Sequence, residues 1–169
     1  MSLVLIGGGA RSGKSRHALQ VAKLSGSRLA FIATATDSDD EMRHRISLHQ
    51  EERGSEFTTF EEALAVASVI DTYGLHFDAI VVDCLTLWLS NQMFADRTGV
   101  PEQSRRLVNA AASSPARVIL VTNEVGCGIV PDHALAREFR DLAGKLNQQA
   151  AEVAAEVYWM VFGIPLKVK

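Results

Sequence analysis

Short apolar runs alternate with amphipathic stretches along the whole chain. Because five of these runs lack polar residues at alternate positions, each is typical of a strand covered on both faces of a parallel sheet. These runs are LVLI (3–6), LAFIA (29–33), AIVVDCL (79–85), RVILVT (117–122) and VYWMVF (157–162). A sixth short strand is predicted over EFTTF (56–60). Since helical patterns separate the strands, the sequence predicts an α/β fold with helices packed on a mostly parallel sheet.

The helical stretches have recognisable ends. The pattern predicts helices over 14–24, over 38–54 with Ser38, Asp39 or Asp40 as N-cap, and over 60–74. A fourth helix is predicted within 131–156, and residues 96–104 (DRTGVPEQS) are predicted as a loop. The fourth helix carries an apolar stripe at steps of three and four, which predicts a core-facing side. The stripe consists of Leu135, Phe139, Leu142, Leu146, Ala150 and Val153.

Composition narrows the class of protein. A chain of 169 residues, 47% hydrophobic and 22% charged, predicts one globular domain over 1–169. The net charge of −3 argues against a nucleic-acid binder, which usually carries a basic surface. The N-terminal apolar stretch is too short for a signal sequence, and no run approaches the length of an integral membrane segment. We therefore expect a cytoplasmic enzyme, in which Cys84 and Cys127 do not form a disulfide.

A glycine-rich segment follows the first predicted strand. Gly8 and Gly13-Lys14-Ser15 match the phosphate-loop pattern G-x-x-x-x-G-K-S/T, with a helix directly after it. Backbone N–H groups and the N-terminus of that helix would bind phosphate oxygens, Lys14 would reach the β- and γ-phosphates, and Ser15 would ligate Mg²⁺. A glycine-rich turn without a ligand is the alternative. The residues of the predicted cradle are Gly8, Gly9, Ala10, Arg11, Ser12, Gly13, Lys14 and Ser15.

An acidic residue ends a buried predicted strand. Asp83 has the position of the carboxylate that fixes Mg²⁺ in phosphoryl-transfer sites, although it could instead cap the next helix. Ligands of open α/β sheets lie beyond the carboxyl ends of the strands. Thr34 and Glu124 also fall at such ends, so we expect them beside the phosphate loop.

One histidine stands out among five. His49 lies on the same helix face as Met42 and Ile46, with Arg45 and Arg53 four residues away on either side. A half-buried structural histidine is the interpretation that the pattern favours. The alternative is a nucleophile or acid/base near phosphates, with arginines pairing the anion. Helical geometry does not choose between the two.

Four segments together resemble a known family. GGARSGKSRHA (8–18), FIATA followed by DDEMRHRISLHQEER (39–53), VVDCLTLWLSN (81–91) and VTNEVGCGIVPDHALAREFRDLAGKLNQ (121–148) resemble the bifunctional adenosylcobinamide kinase / adenosylcobinamide-phosphate guanylyltransferase of cobalamin biosynthesis. The resemblance extends to GIPLKVK at the C-terminus. It implies a three-layer P-loop NTPase-like fold.

The resemblance also implies two reactions and reverses the interpretation of His49. One reaction moves a γ-phosphoryl group from ATP or GTP to adenosylcobinamide. In the other, His49 takes GMP from GTP and passes it to adenosylcobinamide phosphate. The family's remaining nucleotide contacts fall on Thr34, Ala35, Thr36, Glu51, Glu52, Arg53, Gly54, Glu62 and Asp83. A homotrimer is implied, while Asn123 and Glu124 either line the mouth of the site or belong to a conformational loop.

Two other functions stay open at this point. A single-activity P-loop kinase for small molecules would keep Lys14, Ser15 and Asp83 and make His49 structural. A non-catalytic GTP-binding protein is the second alternative. Guanine-binding switches usually present N-K-x-D at a strand end, where this chain has Asn123-Glu124-Val125-Gly126, and that difference counts against it.

Overall fold

The computed structural model describes residues 3–36 and 54–169. The predicted helix over 38–54, with His49, therefore lies outside the described residues. The strands are β1 (Val4–Gly8), β2 (Leu29–Ala33), β3 (Phe57–Glu61), β4 (Ala79–Asp83), β5 (Arg117–Val121), β6 (Glu156–Val161) and β7 (Ile164–Lys167). The helices are α1 (Lys14–Lys23), α2 (Val66–Tyr73), α3 (Leu85–Ala95), α4 (Val100–Ser113) and α5 (Ala134–Val153), with a short 3₁₀ turn at Gly74–His76.

All the described strands form one sheet. Its order is β3-β2-β4-β5-β1-β6-β7, and every neighbouring pair is parallel except β6 with β7. The six predicted strands are all present, and the predicted α/β class is confirmed. After β1, the chain forms β2, β3 and β4 in the other half of the sheet. It then returns through β5, which lies between β4 and β1 and pairs with both. Such a reversal of strand order creates a crevice at the carboxyl ends of the strands.

Helices cover both faces of the sheet, which gives three layers. Helix α1 packs on one face, against the odd-numbered positions of β5, Ile119 and Val121. The even-numbered positions, Val118 and Leu120, face the opposite layer, which contains α2, α3, α4 and α5. This alternation follows from the two-residue period of a strand. The alternation therefore also indicates which layer each residue just after β5 faces.

Strand β6 differs from its prediction. It pairs in parallel with β1 as expected, but Val157, Tyr158 and Trp159 are only half-buried. The physical reason is its place near the sheet edge, where only the exposed strand β7 lies beyond it. Strand β7 was not predicted. It is joined to β6 through Phe162 and Gly163, whose φ angles of 51° and 82° suit a tight hairpin turn.

Two predicted helix boundaries were wrong. The helix expected from residue 60 begins only at Val66, because the chain first completes β3 and then turns at Glu62. The Glu62 carboxylate accepts the backbone N–H groups of Leu64 and Ala65, both at 2.8 Å. The loop predicted over 96–104 ends at residue 99. Helix α4 begins at Val100, because Pro101 is tolerated in the first helical turn.

The apolar stripe of α5 is only partly buried. Leu146 and Ala150 are buried, Phe139 and Leu142 are half-buried, and the other two predicted core residues, at the helix ends, are exposed. Twenty helical residues extend about 30 Å, whereas a five-residue strand extends about 17 Å, so α5 is longer than the sheet beneath it. Within residues 3–36 and 54–169, no helix is both long and apolar enough to cross a membrane.

A pair of substitutions on α3 tests this layered core. Leu89 is completely buried, whereas Phe94 on the same helix is 82% exposed. We expect Leu89→Ala to lower the free energy of unfolding by about 2–5 kcal/mol, because it removes apolar contacts and leaves a cavity. The control Phe94→Ala should change that free energy by less than about 0.5 kcal/mol. Urea denaturation followed by circular dichroism measures both, and equal losses would contradict the assigned packing.

Candidate active site

The glycine-rich segment forms a turn between β1 and α1. Gly8 ends β1 with a φ of 151°, and a Cβ there would lie 2.8 Å from Ser12 Oγ and 2.9 Å from the Met160 carbonyl oxygen. Gly13 precedes α1 with a φ of 91°, which disfavours any residue with a side chain. These glycines let the backbone fold tightly at the N-terminus of α1. The predicted strand, loop and helix of the cradle are therefore present.

Lys14 points back into this loop. Its side chain is buried, and its ammonium donates to the Gly9 carbonyl oxygen at 2.5 Å, with Ser12 Oγ at 3.5 Å. Burial lowers the pKa of Lys14, while the nearby Asp83 carboxylate acts in the opposite direction. A cation whose burial makes its charge costly gains from an anionic ligand. The loop thus concentrates positive charge where a phosphate would lie.

Two backbone contacts hold the loop from outside. Glu124 donates its N–H to the Gly8 carbonyl oxygen at 3.1 Å, and Gly163 donates its N–H to the Ser12 carbonyl oxygen, also at 3.1 Å. The turn between β6 and β7 therefore supports the loop directly. Gly163 was not predicted as part of the site, because the only sequence signal at this position is the Phe162-Gly163 pair, which indicates a turn only weakly.

Asp83 lies beside the loop at the end of β4. The neighbouring Thr34 is fully buried, and its hydroxyl accepts the Cys84 N–H at 2.7 Å and donates to the Cys84 carbonyl oxygen at 2.8 Å. Asn91 donates to the Thr34 carbonyl oxygen at 2.8 Å. Because both hydroxyl bonds go to Cys84, the structure places Thr34 as a support for the Asp83–Cys84 segment.

The structure brings most of the described candidates to one sheet edge. The loop, Thr34 and Asp83 share the carboxyl ends of the central strands. Glu62 is tied to the same edge through its N–H, which donates to the Ala33 carbonyl oxygen at 3.0 Å. Ala35 is half-buried there, while Thr36 and Gly54 are exposed. His49, Glu51, Glu52 and Arg53 lie outside the described residues, so their predicted roles stay predictions.

The oxygen ligands near Lys14 suit a hard cation that also binds the phosphates of a substrate. Ser15 is the second residue of α1, next to the lysine whose pKa is influenced by Asp83. Within 3–36 and 54–169, no group of three His, Cys, Asp or Glu side chains could enclose a metal ion. A hydroxyl and a carboxylate at a phosphate loop fit Mg²⁺, which keeps waters and binds substrate phosphates rather than a full protein cage.

The sheet order and the loop geometry define a protein of the P-loop NTPase fold. The chain is similar in structure to the RadB recombinase, with a TM-score of 0.52 at 20% identity, covering 94% of this chain and 73% of that one. At this identity the similarity concerns the fold alone.

Sequence comparison then defines the family. The model of the cobinamide kinase / cobinamide phosphate guanyltransferase family, CobU, matches residues 4–168. The chain is 42% identical to the bifunctional adenosylcobalamin biosynthesis protein CobP of Pseudomonas aeruginosa, over 98% of this chain and 96% of that protein. It is 38% identical to the bifunctional protein CobU of Salmonella typhimurium, over 99% of both chains. This chain belongs to the CobU family, which confirms the resemblance seen in the sequence.

The two cysteines offer a chemical test of the geometry at β4. Cys84 is buried, and burial raises the pKa of its thiol to about 11, whereas Cys127 is exposed. Both are free, as predicted. Because only the thiolate reacts, we expect Ellman's reagent at about pH 8 to label one thiol in the folded protein and two after unfolding.

The variant Cys127→Ser serves as the control for that measurement. It should leave the folded protein without a rapidly reacting thiol and restore a single one after unfolding. Rapid labelling of Cys84 in folded Cys127→Ser would contradict the burial of the segment after Asp83.

Proposed function

We propose that this chain is a bifunctional transferase of cobalamin biosynthesis. It phosphorylates adenosylcobinamide with ATP or GTP and then transfers GMP from GTP to adenosylcobinamide phosphate, giving adenosylcobinamide-GDP and pyrophosphate. Membership of the CobU family, together with a phosphate loop in which Lys14 is buried and aimed inward, carries the proposal. The two relatives named above are both described as bifunctional proteins of adenosylcobalamin biosynthesis.

The kinase step requires mainly positioning and charge neutralisation. The loop from Gly8 to Ser15 would hold the triphosphate through its backbone N–H groups and the N-terminus of α1. Lys14 would lie against the β- and γ-phosphates. The hydroxyl oxygen of adenosylcobinamide forms a bond to the γ-phosphorus and its proton passes to solvent, while the bond from the γ-phosphorus to the bridging oxygen breaks and the nucleoside diphosphate leaves. Ser15 and Asp83 would hold Mg²⁺, which supplies neutralisation of phosphate charge when bound.

The nucleotidyl transfer would use His49 as the nucleophile. An imidazole nitrogen attacks the α-phosphorus of GTP, and pyrophosphate leaves with the broken P–O bond. A phosphate oxygen of adenosylcobinamide phosphate then displaces the imidazole and breaks the P–N bond. The attacking imidazole must be neutral, and an ordinary histidine with a pKa of about 6.5 is mostly neutral at pH 7. Support for His49 comes from the family resemblance of its segment.

The other family features belong to the same proposal. The remaining nucleotide contacts would come from Thr34, Ala35, Thr36, Glu51, Glu52, Arg53, Gly54, Glu62 and Asp83. The Thr34 hydroxyl holds Cys84, its N–H donates to the Asp83 carbonyl oxygen, and its carbonyl oxygen accepts from Asn91, so Thr34 would serve the nucleotide site chiefly by holding the end of β4 in place. A cytoplasmic homotrimer completes the proposal. The exposed apolar residues of β7, Ile164 and Leu166, support an assembled state, because burying them would be favourable.

Lys14→Ala tests whether one cradle serves both reactions. We expect both rates to fall by at least about 100-fold, because each reaction loses the same charge on its triphosphate. Initial rates of phosphorylation and of guanylylation are measured separately, with melting temperature as the check on folding. Lys23→Ala is the matched control, since Lys23 lies on the same helix in an exposed ion pair with Glu56. A kinase rate unaffected by Lys14→Ala would refute the shared site.

His49→Ala tests the covalent intermediate. Incubation with α-³²P-labelled GTP should leave acid-labile label on the wild-type protein and none on the variant. The variant should still phosphorylate adenosylcobinamide at a rate close to wild type, because the γ-phosphoryl group does not pass through the histidine. Absence of label on folded wild-type protein would refute the nucleotidyl-transfer half and favour a single-activity kinase.

A further inference from the structure

Asn123 follows the end of β5, between the strand that leads into the phosphate loop and the strand that ends at Asp83. Strand β5 lies between β1 and β4, with Val121 opposite Ile6 on one side and Asp83 on the other. The parallel ladder continues past the end of β5, since Thr122 donates its N–H to the Ile6 carbonyl oxygen at 3.0 Å and Glu124 donates to that of Gly8 at 3.1 Å. Asn123 is therefore held between these two pairings, two residues beyond Val121, the partner of Asp83.

The continued ladder also indicates which layer each side chain faces. Ile119 and Val121 face the layer of α1, whereas the Thr122 hydroxyl donates to Asn147 Oδ1 in α5 at 2.7 Å, on the opposite face. Since side chains alternate along an extended ladder, Asn123 faces the layer of α1 and Glu124 faces the other. Of the two residues that sequence analysis left without a role, Asn123 is the one on the side of the phosphate loop.

The same alternation places the chemical partners of Asn123. Val4, Ile6, Ala79 and Val81 face the layer of α1, so Gly8 and Asp83, each two residues after one of these, face it too. Lys14 begins α1, and its pKa is influenced by the charge of Asp83. Asn123 consequently lies on one face of the sheet with the first glycine of the loop, the carboxylate and the lysine.

The backbone of Asn123 is fixed while its side chain is not engaged. Its N–H donates to Thr86 Oγ1 at 2.8 Å, which anchors it to the start of α3. Its carboxamide is half-buried and makes no hydrogen bond to a residue within 3–36 or 54–169. A half-buried amide group on a fixed backbone is suited to a hydrogen bond with a ligand, because only side-chain freedom, and no backbone freedom, remains to be lost.

We propose that the Asn123 carboxamide donates a hydrogen bond to the terminal phosphate of the bound nucleoside triphosphate. This inference rests on the proposed kinase step and adds one residue to it. A neutral amide is appropriate on the same face of the sheet as the Lys14 cation and the Asp83 carboxylate, because it binds an anionic oxygen without changing the charge of the site. Asn123 thereby distinguishes a triphosphate from a diphosphate, which is the difference between the donor nucleotide and its product.

Calorimetric binding of two nucleotides to the full chain tests this role without catalysis. The probes are GDP and a β,γ-imido analogue of GTP, and the variants are Asn123→Ala and Asn123→Asp. We expect Asn123→Ala to raise the Kd of the triphosphate analogue by about 10- to 100-fold, because it removes a hydrogen bond to a charged group. The Kd of GDP should stay close to wild type. Asn123→Asp should weaken the analogue further through like-charge repulsion.

Asn109→Ala is the matched control, since Asn109 is exposed on α4, and melting temperatures check that every variant folds. Equal changes in the two Kd values would overturn the proposal by assigning Asn123 a structural role, and so would no change in either. Because these measurements need no cobinamide, their outcome is independent of whether the chain phosphorylates adenosylcobinamide. Failure of the wild-type chain to phosphorylate adenosylcobinamide would refute that function and leave the binding result to be judged by itself.

Discussion

The parallel pairing of β5 between β1 and β4 is the constraint on which the candidate site depends. It brings Gly8, at the end of one strand, and Asp83, at the end of another, to the same edge of the sheet. The buried Lys14 then lies within the electrostatic influence of that carboxylate although the two are far apart in sequence. Without the intervening strand, the phosphate loop would remain a turn with no acidic counterpart.

Much of the surrounding polar structure holds these strand ends in place. Thr34 uses its hydroxyl on Cys84, Thr86 holds Asn123, and the turn at Gly163 supports the loop through Ser12. Each contact satisfies a backbone group where the regular ladder stops, which a buried strand end requires. These contacts engage the hydroxyls of Thr34 and Thr86, whereas the carboxamide of Asn123 makes no hydrogen bond to a residue within 3–36 or 54–169.

Several elements could be predicted because their signals are local. Strands of consecutive apolar residues, the phosphate-loop pattern and the helix after it depend on neighbours in the chain. Strand β7 could not be predicted, since IPLK carries a proline and has no alternation, and pairing with β6 alone makes it a strand. The start of α2 was misplaced for a similar reason. Its first turn is decided by the Glu62 carboxylate, whose position depends on β2 and β3.

The sequence by itself determined the fold class, the phosphate loop and, through its specific segments, the family. Tertiary structure alone decided which of Asn123 and Glu124 faces the loop, because that depends on how far the pairing of β5 with β1 continues. It also decided that Thr34 supports Cys84 and that Gly163 supports the loop. Adjacent residues in a strand face opposite layers, so a sequence can name both candidates at a strand end, while only their hydrogen bonds to neighbouring strands tell them apart.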